Sequence, residues 1–370
     1  MTEEEKKEGV AAVAEVSNKQ VVLKAYITDG RAPRKDDMAV TVSTLPELKA
    51  PKGSGGFLVK NLYLSCDPYM RGRMRPPSPA SYIPSFLPSR LCQPIEGFGV
   101  SEVVDSDNPE FQAGDFIAGM TGWEEYTLIQ KPQQLRKISR NHAVPLSYHL
   151  GLLGMPGFTA YCGLYELCSP KAGEFVFVSA ASGAVGQIVG QLAKLEGCRV
   201  VGSAGSATKV EMLTSKMGFD AAFNYKEEAD LDAALKRYFP QGIDIYFDNV
   251  GGEMLDAALL NMRVKGRIAV CGMVSQHAVT DSGPGIRNIS NVIVKRIKMQ
   301  GFLQSDFLHL YPRFLDHVTA HFLAGDIVYV EDVDDGLESA PAALAGLFTG
   351  ENIGKKVVRV VPPESRNSMN

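Results

Sequence analysis

The stretch EFVFVSAASGAVGQIVGQLAKLEGCRVVGSAGS, residues 174–206, decides the fold of this chain. Its first apolar run, at 175–179, is typical of a strand buried inside a parallel sheet. A turn containing Gly183 and Gly186 follows, and apolar residues then recur at helical spacing until a further glycine ends the helix. A second short strand at 199–202 completes a βαβ unit. This unit predicts an α/β fold with a doubly wound parallel sheet.

The glycine turn fits the dinucleotide fingerprint G-x-G-x-x-G, with Ala181 in the place of the first glycine. The second glycine lets the backbone approach a pyrophosphate, and the free N–H groups of the helix N-terminus attract it. A tight strand-to-helix turn that binds nothing is the alternative. The position of the turn, between two strands and before an amphipathic helix, favours a bound dinucleotide.

The residues after the second strand indicate which dinucleotide binds. An NAD site needs an acid there to accept a hydrogen bond from the ribose 2′-hydroxyl. Residues 203–206 contain no carboxylate, and the first one beyond them is Glu211. Lys209 supplies a cation that suits a 2′-phosphate, although an ordinary solvated lysine is the alternative. The predicted cofactor is therefore NADPH.

Composition restricts the classes of function. At 370 residues and 45% hydrophobic content, the chain is long enough for more than one globular core. A net charge of −4 argues against a nucleic-acid or anionic-membrane partner, and no apolar run is long enough to span a bilayer. The first residues are acidic and lack an apolar stretch, so we expect no signal or transit peptide and a cytoplasmic location. Six cysteines without a C-x-x-C pair predict neither a zinc ribbon nor a redox dithiol.

The pattern of secondary structure changes near residue 146. Before it, short strands with glycine punctuation predict an antiparallel, barrel-like domain, with strands at 21–27, 53–64, 97–104, 115–119 and 125–129. A Pro- and Ser-rich stretch at 76–94 predicts a long ordered loop. After residue 146, helices and strands alternate, with helices at 146–153 and 159–167 and strands at 221–225, 244–249, 267–271 and 298–303. The last elements are expected to rejoin the first domain and are a helix at 312–322, a strand at 327–333, a helix at 341–348 and a strand at 356–361.

Several longer segments carry a resemblance to a known family. They include NLYLSCDPYMRGRM at 61–74, GLLGMPGFTAY at 151–161, FNYKEE at 223–228, IDIYFDNVGG at 243–252 and KRIKMQGF at 295–302. On these segments the chain resembles the zinc-independent medium-chain dehydrogenase/reductases. Within that family it is similar to the plant-type NADPH-dependent double-bond reductases, or 2-alkenal reductases, which are relatives of the prostaglandin/leukotriene reductases.

The resemblance implies how the domains are arranged. A GroES-like antiparallel β-barrel catalytic domain would comprise residues 1–146 and 321–370, with disordered tails at 1–17 and 362–370. A Rossmann NADPH-binding domain at 147–320 would be inserted into it. The cofactor would bind between the two domains, and the protein would be a homodimer.

The resemblance also implies the site residues. The cofactor would lie against Ala180, Ala181, Ser182, Gly183, Ala184, Val185, Gly186, Gly205, Lys209, Tyr225, Asn249, Cys271, Gly272, Met273, Val274, Ser275, Gln276, His277, Phe302, Leu303, Gln304 and Asn352. Among them, the turn at 180–186 would hold the pyrophosphate, and Gly205, Lys209 and Tyr225 would hold the 2′-phosphate. Tyr69 would face the substrate.

The chain departs from the resembled family at one position. The family has a tyrosine after CGMxSQ, near the nicotinamide ribose and the substrate carbonyl, where this chain has His277. An imidazole can also donate a hydrogen bond, and as imidazolium it stabilises an enolate better than a phenol does. The alternative is that His277 only caps a loop while the ribose hydroxyl and water support the enolate.

A zinc site is not expected. Zinc alcohol dehydrogenases of the same fold carry a Gly-His-Glu segment and a four-cysteine lobe, but residues 93–99 here read QPIEGFG and the lobe is absent. Without a Lewis acid, direct reduction of a carbonyl loses its main electrophile. Conjugate reduction needs only hydrogen-bond donors for the charge that develops on the carbonyl oxygen.

The resemblance therefore implies reduction of the C=C bond of α,β-unsaturated aldehydes and ketones. Hydride from NADPH would reach the β-carbon, and a solvent-exchangeable proton would reach the α-carbon. The enolate would be held by Tyr69, His277 or the ribose 2′-hydroxyl. Two alternatives remain: an NADPH:quinone reductase, because a quinone is also a conjugated acceptor, and a non-catalytic NADPH-binding protein of the crystallin kind.

Overall fold

Strands and helices alternate through the residues described by the computed structural model, which are 15–78, 84–86, 93–139, 143–276 and 285–361. The strands are β1 Val16–Leu23, β2 Met38–Leu45, β3 Phe57–Ser65, β4 Glu96–Ser106, β5 Phe116–Gly122, β6 Tyr126–Ile129, β7 Leu135–Lys137, β8 Phe175–Val178, β9 Arg199–Ala204, β10 Ala221–Asn224, β11 Ile243–Asp248, β12 Met262–Val270, β13 Lys298–Gly301, β14 Glu331–Asp335 and β15 Lys355–Arg359. The helices are α1 Met70–Arg73, α2 Met155–Tyr161, α3 Gly186–Leu195, α4 Ala207–Lys216, α5 Leu231–Tyr238, α6 Gly252–Asn261, α7 Asn291–Val294, α8 Tyr311–Ala324 and α9 Ala340–Gly346. None of the helices in these ranges is long and apolar enough to cross a bilayer.

Strands β8 to β13 form a six-stranded parallel sheet in the order β10-β9-β8-β11-β12-β13. The order reverses at β8, as it does in doubly wound nucleotide-binding sheets. Both faces of the sheet are buried at β8, since Val176 and Val178 pack with α3 on one side while Phe177 packs with α5 and α6 on the other. Burial on two faces explains the unbroken apolar run of β8. The predicted α/β fold with a doubly wound parallel sheet is confirmed.

A second sheet collects strands from both ends of the chain. Its order is β14-β15-β3-β4-β5-β7, and β6 pairs with β3. All of its pairings are antiparallel except that of β14 with β15. Because β15 pairs with β3, the last strand rejoins the first domain, as expected. Strands β1 and β2 form a separate antiparallel ribbon.

Most predicted elements are confirmed, with shifted ends. The strands predicted in the first domain at 53–64, 97–104, 115–119 and 125–129 are β3 to β6, those predicted at 221–225, 244–249, 267–271 and 298–303 are β10 to β13, and the one predicted at 356–361 is β15. The helices predicted at 312–322 and 341–348 are α8 and α9. Of the predicted loop at 76–94, residues 79–83 and 87–92 lie outside the described part of the chain.

Other predictions were wrong in part. The strand predicted at 21–27 is β1, which starts at Val16, so the predicted N-terminal tail at 1–17 extends too far: Val16 and Ser17 pair with β2, itself not predicted. The helix predicted at 146–153 is a 3-10 turn at Leu146–Leu150. The helix predicted at 159–167 is instead the end of α2 followed by a π-helical segment, Cys162–Cys168. The predicted tail at 362–370 lies outside the described residues.

Candidate active site

The turn between β8 and α3 is tightly packed against its own backbone. Ala180 has a φ of +46°, a left-handed conformation that L-residues rarely adopt. A Cβ atom at Gly186 would lie 2.5 Å from the carbonyl oxygen of Ala180 and 2.7 Å from Cα of Ala181. Glycine is therefore required at position 186, where the helix starts directly above the turn.

The same turn is open on its outer side. A Cβ atom at Gly183 would meet only the carbonyl oxygen of Ala180, at 3.2 Å. The first N–H groups of α3 are next to this opening, since the N–H of Gln187 is the first to bond back to Gly183, at 3.1 Å. Backbone room and unpaired N–H groups at the start of a ten-residue helix are what a pyrophosphate needs, so the turn fits the predicted cofactor.

A basic pocket lies beyond the end of β9 and consists of Gly205, Lys209, Tyr225 and Lys226. Helix α4 starts after Ser206, whose hydroxyl oxygen accepts from the N–H of Lys209 at 3.4 Å. A Cβ atom at Gly205 would lie 3.3 Å from the Tyr225 ring and 3.3 Å from Cε of Lys226. The three residues predicted for the 2′-phosphate are thus brought together. Lys226 joins them as a second cation, one that sequence reasoning missed although it directly follows Tyr225.

Lys209 is buried although it carries a charge. Its Nζ donates to the carbonyl oxygen of Gly350 at 2.7 Å, and 7% of the residue is exposed. Burial lowers its pKa from the ordinary value, and the neighbouring positive charge of Lys226 lowers it further. A dianionic phosphate placed between these two ammonium groups would be bound by charge-assisted hydrogen bonds.

The loop after β11 is held by a buried carboxylate. Oδ1 of Asp248 accepts from the Tyr246 hydroxyl at 2.6 Å and from the N–H of Gly251 at 2.8 Å, while its Oδ2 has no partner. Burial raises the pKa of Asp248. The predicted cofactor residue Asn249 follows it, and its side-chain amide donates to the carbonyl oxygen of Ser179 at 2.8 Å. These bonds fix the end of β11 against the end of β8, at the switch point of the sheet.

The predicted segment 271–276 lies along this loop. The N–H groups of Cys271 and Gly272 donate to the carbonyl oxygen of Asp248 at 2.9 and 3.0 Å. The Ser275 hydroxyl donates to the carbonyl oxygen of Val250 at 2.6 Å. His277, the other predicted member, lies outside the described residues.

The side chain of Phe302 is positioned by a glycine in the π-helical segment. A Cβ atom at Gly163 would lie 2.6 Å from both the Phe247 and the Phe302 rings, so these rings fill the space above the glycine. The two rings pack edge to face, with their centroids 6.3 Å apart. Leu303 is 45% exposed, and Gln304 starts a 3-10 turn. π-Helical turns are frequent at functional sites, and this one accommodates a predicted cofactor residue.

The C-terminal segment reaches the glycine turn from the other domain. Gly354 forms a parallel bridge with Gly183, and the Asn352 side-chain amide donates to the carbonyl oxygen of Gly354 at 2.7 Å. Residues 350–354 therefore contact both the glycine turn, through Gly183, and the basic pocket, through Lys209.

Tyr69 lies at the start of α1, on the side of the second sheet. Its ring contacts Phe98 edge to face at 6.3 Å, and its hydroxyl lies 4.0 Å from Sδ of Met120. Burial is the main cause that raises its pKa above the ordinary tyrosine value. Tyr69 therefore stays a neutral phenol, which can donate a hydrogen bond.

The segment that would carry a zinc ligand has another partner. The carboxylate of Glu96 accepts from Nη2 of Arg73 at 2.9 Å. Within the described ranges, no three His, Cys, Asp or Glu side chains are grouped so that they could bind a metal ion.

Comparison with known proteins gives domains and close relatives. Residues 19–138 match the family described as "N-terminal domain of oxidoreductase", and residues 184–320 match "Zinc-binding dehydrogenase". The chain is 61% identical to the 2-alkenal reductase (NADP(+)-dependent) of Nicotiana tabacum, with 94% of this chain and 98% of the relative covered. It is 54% identical to the (+)-pulegone reductase of Mentha piperita, with 93% and 99% covered.

A solved structure is similar over the same length. The structure of CurA in complex with NADPH from Vibrio vulnificus has a TM-score of 0.84 and 38% sequence identity, and the match covers 93% of this chain and 100% of CurA. The two sheets described above therefore belong to a fold that holds NADPH in a relative.

Proposed function

Since the chain belongs to the medium-chain dehydrogenase/reductase family, we propose that its site reduces the C=C bond of α,β-unsaturated aldehydes and ketones with NADPH. The Nicotiana and Mentha relatives are named as reductases, the former of 2-alkenals with NADP and the latter of the enone pulegone. When bound, the cofactor supplies a hydride for the β-carbon of the substrate.

The basic pocket is the observation that carries this proposal. An NAD-dependent enzyme has a carboxylate at the end of the second strand, whereas this chain has Lys209 and Lys226 beside Tyr225 and Gly205. Two cations close to a glycine that has no room for a side chain suit a 2′-phosphate, which only the phosphorylated dinucleotide carries. The glycine turn at 180–186 would hold the pyrophosphate of the same molecule.

We assign Tyr69 to the substrate. Charge develops on the carbonyl oxygen when the β-carbon receives a hydride, and a donor that strengthens its hydrogen bond to that oxygen lowers the barrier. A neutral phenol that is half-buried between Phe98 and Met120 can provide this bond in a partly apolar environment. His277 is proposed as a second donor from the sequence alone.

We also propose that the enzyme works without zinc and is cytoplasmic. The Glu96 carboxylate is engaged by Arg73, and residues 93–99 contain no histidine. The two-domain division at 1–146 with 321–370, and at 147–320, belongs to the same proposal.

A homodimer through the edge of the parallel sheet is part of the proposal. In the described part of the chain, β13 pairs on one side only, with β12, and all four of its residues are exposed. Ile293 and Val294 on α7, which precedes it, are 80% and 68% exposed. A second protomer could pair with this exposed strand edge and bury the apolar side chains beside it. Light scattering should give a dimer mass, and Ile293→Asp should shift it toward the monomer; the exposed Val42→Asp is the control.

Turnover of an enone tests the function directly. NADPH oxidation should be stoichiometric with saturation of the C=C bond of a 2-alkenal, and the carbonyl should be retained in the product. A quinone as the preferred acceptor would replace the proposal by the quinone reductase alternative. NADPH binding without turnover of either substrate would favour the crystallin-like alternative.

A further inference from the structure

A fully buried ion pair lies at the point where the two ends of the chain meet in the second sheet. Nζ of Lys355 donates to Oδ1 of Asp67 at 3.0 Å and to the carbonyl oxygen of Cys66 at 2.6 Å. The side chains are 1% and 3% exposed. The other carboxylate oxygen of Asp67 accepts from the Ser65 hydroxyl at 2.6 Å.

Stability alone does not explain this ion pair. Removing two charges from water costs about as much as their attraction returns, and replacement of a buried pair by uncharged side chains is often neutral or stabilising. A positional role explains the pair better. A buried carboxylate must stay beside its cationic partner, so the pair fixes the position of the two segments that carry it.

The pair joins the substrate side to the cofactor side. Asp67 comes two residues before Tyr69 and begins its turn, since the N–H of Met70 donates to the carbonyl oxygen of Asp67 at 3.1 Å. Lys355 directly follows Gly354, which bridges to Gly183 in the pyrophosphate turn. Only Pro68 therefore lies between Asp67 and the predicted substrate donor Tyr69, and Lys355 directly adjoins the segment that is predicted to contact the cofactor.

Nothing else in the described chain ties these two segments by side-chain charge. The backbone contributes one weak bond, from the N–H of Cys66 to the carbonyl oxygen of Lys356 at 3.3 Å. Beyond Ser65, β3 has left its pairing with β15, whose last register pair is Ser65 with Val357. The turn that carries Tyr69 thus starts where the hydrogen-bond ladder between β3 and β15 ends. From that point, the ammonium of Lys355 holds the two segments together through Cys66 and Asp67.

We propose that Asp67 and Lys355 are a positioning pair, which fixes the Tyr69 hydroxyl relative to the cofactor-binding segment 352–354. The inference rests on the proposed function in that Tyr69 is taken as the donor to the substrate carbonyl oxygen. The pair itself touches neither substrate nor cofactor. A donor displaced by about 1 Å from its productive geometry loses up to about 10²-fold in rate.

The test uses a neutral pair, Asp67→Asn with Lys355→Met, because either single change leaves an uncompensated buried charge. We expect kcat on an enone to fall about tenfold or more, with KM for NADPH and Tm close to those of the wild type. Tyr69→Phe should cause a similar loss. The triple variant should be no slower than Tyr69→Phe, since the pair acts through that hydroxyl. Additive losses, or an unchanged kcat, would overturn the inference.

A second readout does not depend on turnover. With 3-fluorotyrosine incorporated at position 69, the neutral pair should shift or broaden the ¹⁹F resonance. The matched control is Arg267→Met with Glu174→Gln, an ion pair of 2.7 Å at the opposite, amino-terminal end of the parallel strands, which should leave the resonance unchanged. An unaltered resonance in the neutral-pair variant would refute the positioning role, whether or not the enzyme reduces an enone. If the wild type does not turn over any enone, only the proposed function is refuted.

Discussion

Nζ of Lys209 donates to the carbonyl oxygen of Gly350 at 2.7 Å, so a cation of the nucleotide domain is held by the last segment of the chain. Because the ammonium is already oriented by this bond, a 2′-phosphate that binds beside it meets a donor with little freedom left to lose. The same bond connects the basic pocket to residues 350–354. The side chain that is predicted to recognise the 2′-phosphate is therefore also the one that joins α4 to residues 350–354.

Lys209→Ala should raise KM for NADPH and leave KM for NADH nearly unchanged. A charge-assisted hydrogen bond contributes roughly 1.5–3 kcal/mol, so an increase of about 10- to 100-fold is expected. Steady-state kinetics with both cofactors on one enone provide the measurement. Lys226→Ala should have a smaller effect of the same sign.

Lys216→Ala is the matched control for the cofactor preference. It lies on the same helix α4, in its last turn, away from the basic pocket. Equal use of NADPH and NADH by the wild type would contradict the assignment of the pocket.

The two glycines of the turn should respond differently to alanine. Gly186→Ala forces a Cβ atom to 2.5 Å from the Ala180 carbonyl oxygen and should destabilise the fold by about 1–3 kcal/mol, measured by urea unfolding. Gly183→Ala meets only that oxygen at 3.2 Å, so stability should be kept. Its methyl group would stand where the pyrophosphate approaches, and Kd for NADPH should rise about tenfold, the equivalent of one weakened hydrogen bond. Equal effects of both changes on Kd and on stability would argue against this division of roles.

The free energy of unfolding should depend on pH through Glu124. Burial raises the pKa of Glu124 to about 7, against hydrogen bonds from Thr127 and Asn18 that lower it. The unfolded chain releases this proton first as pH rises, so the folded state loses stability between about pH 4.5 and 7, by roughly 3 kcal/mol at most. Burial also raises the pKa of Glu331 to about 7, and this residue adds a similar slope.

Glu124→Gln should remove about half of that slope. The amide keeps an acceptor for Asn18, and it carries no charge to bury. Urea midpoints between pH 5 and pH 8 provide the measurement, with the exposed Glu110→Gln as the control. A variant with the wild-type slope would show that Glu124 ionises normally in the folded protein.

His277, outside the described residues, should give kcat a pH dependence near its ordinary pKa of about 6.5. His277→Tyr should abolish this dependence or move it to alkaline pH. His277→Ala should cost about tenfold in kcat, about 1.4 kcal/mol, because a ribose hydroxyl shares the load. The control is His321→Ala on α8, where the imidazole is paired with Asp326. If the pH profiles of kcat in both variants match that of the wild type, His277 has no role in supporting the enolate.

Activity should survive dialysis against a chelator. The expected result is unchanged kcat and no zinc by elemental analysis, because residues 93–99 carry neither histidine nor cysteine and Glu96 is bound by Arg73. A zinc alcohol dehydrogenase treated in parallel should lose its activity. Stoichiometric zinc in the untreated enzyme would contradict the prediction.

The sequence predicts the βαβ unit well because local rules act there together. An apolar run, a glycine turn and an amphipathic repeat each specify the same geometry, and β8, α3 and β9 follow them. Lys209 could be predicted as a cofactor residue for the same reason, since it lies within the first turn of the helix that follows β9. The bond of Lys209 to Gly350 joins residues 141 positions apart, and no local pattern contains it.

The strand predicted at 327–333 shows where alternation misleads. In the structure β14 starts only at Glu331. The backbone of Val328 and Val330 is hydrogen-bonded to side chains of α3 and not to a neighbouring strand, so a tertiary contact determines where the strand begins. Oε1 and Nε2 of Gln191 bond to the N–H and carbonyl of Val328 at 2.7 and 2.8 Å, and Gln187 does the same for Val330 at 3.0 and 3.1 Å. An amide side chain offers the same donor and acceptor as a peptide group. The contact between Asp67 and Lys355 could not be predicted from a local pattern, because the two residues are 288 positions apart.

The two glutamines of α3 have a consequence for anyone who exchanges modules between such enzymes. One helical turn apart, Gln187 and Gln191 each bond to the main chain of the segment 328–330 that runs past α3. These four hydrogen bonds involve no side chain of that segment. A transplanted nucleotide-binding half that brings both glutamines could therefore keep these bonds with a foreign substrate half whatever residue other than proline stands at 328, while position 330 should stay apolar because Val330 also packs against the core. Without the glutamines, the N–H and carbonyl of Val328 and the N–H of Val330 would lose these partners, whereas the Val330 carbonyl would keep the N–H of Lys355 at 3.0 Å.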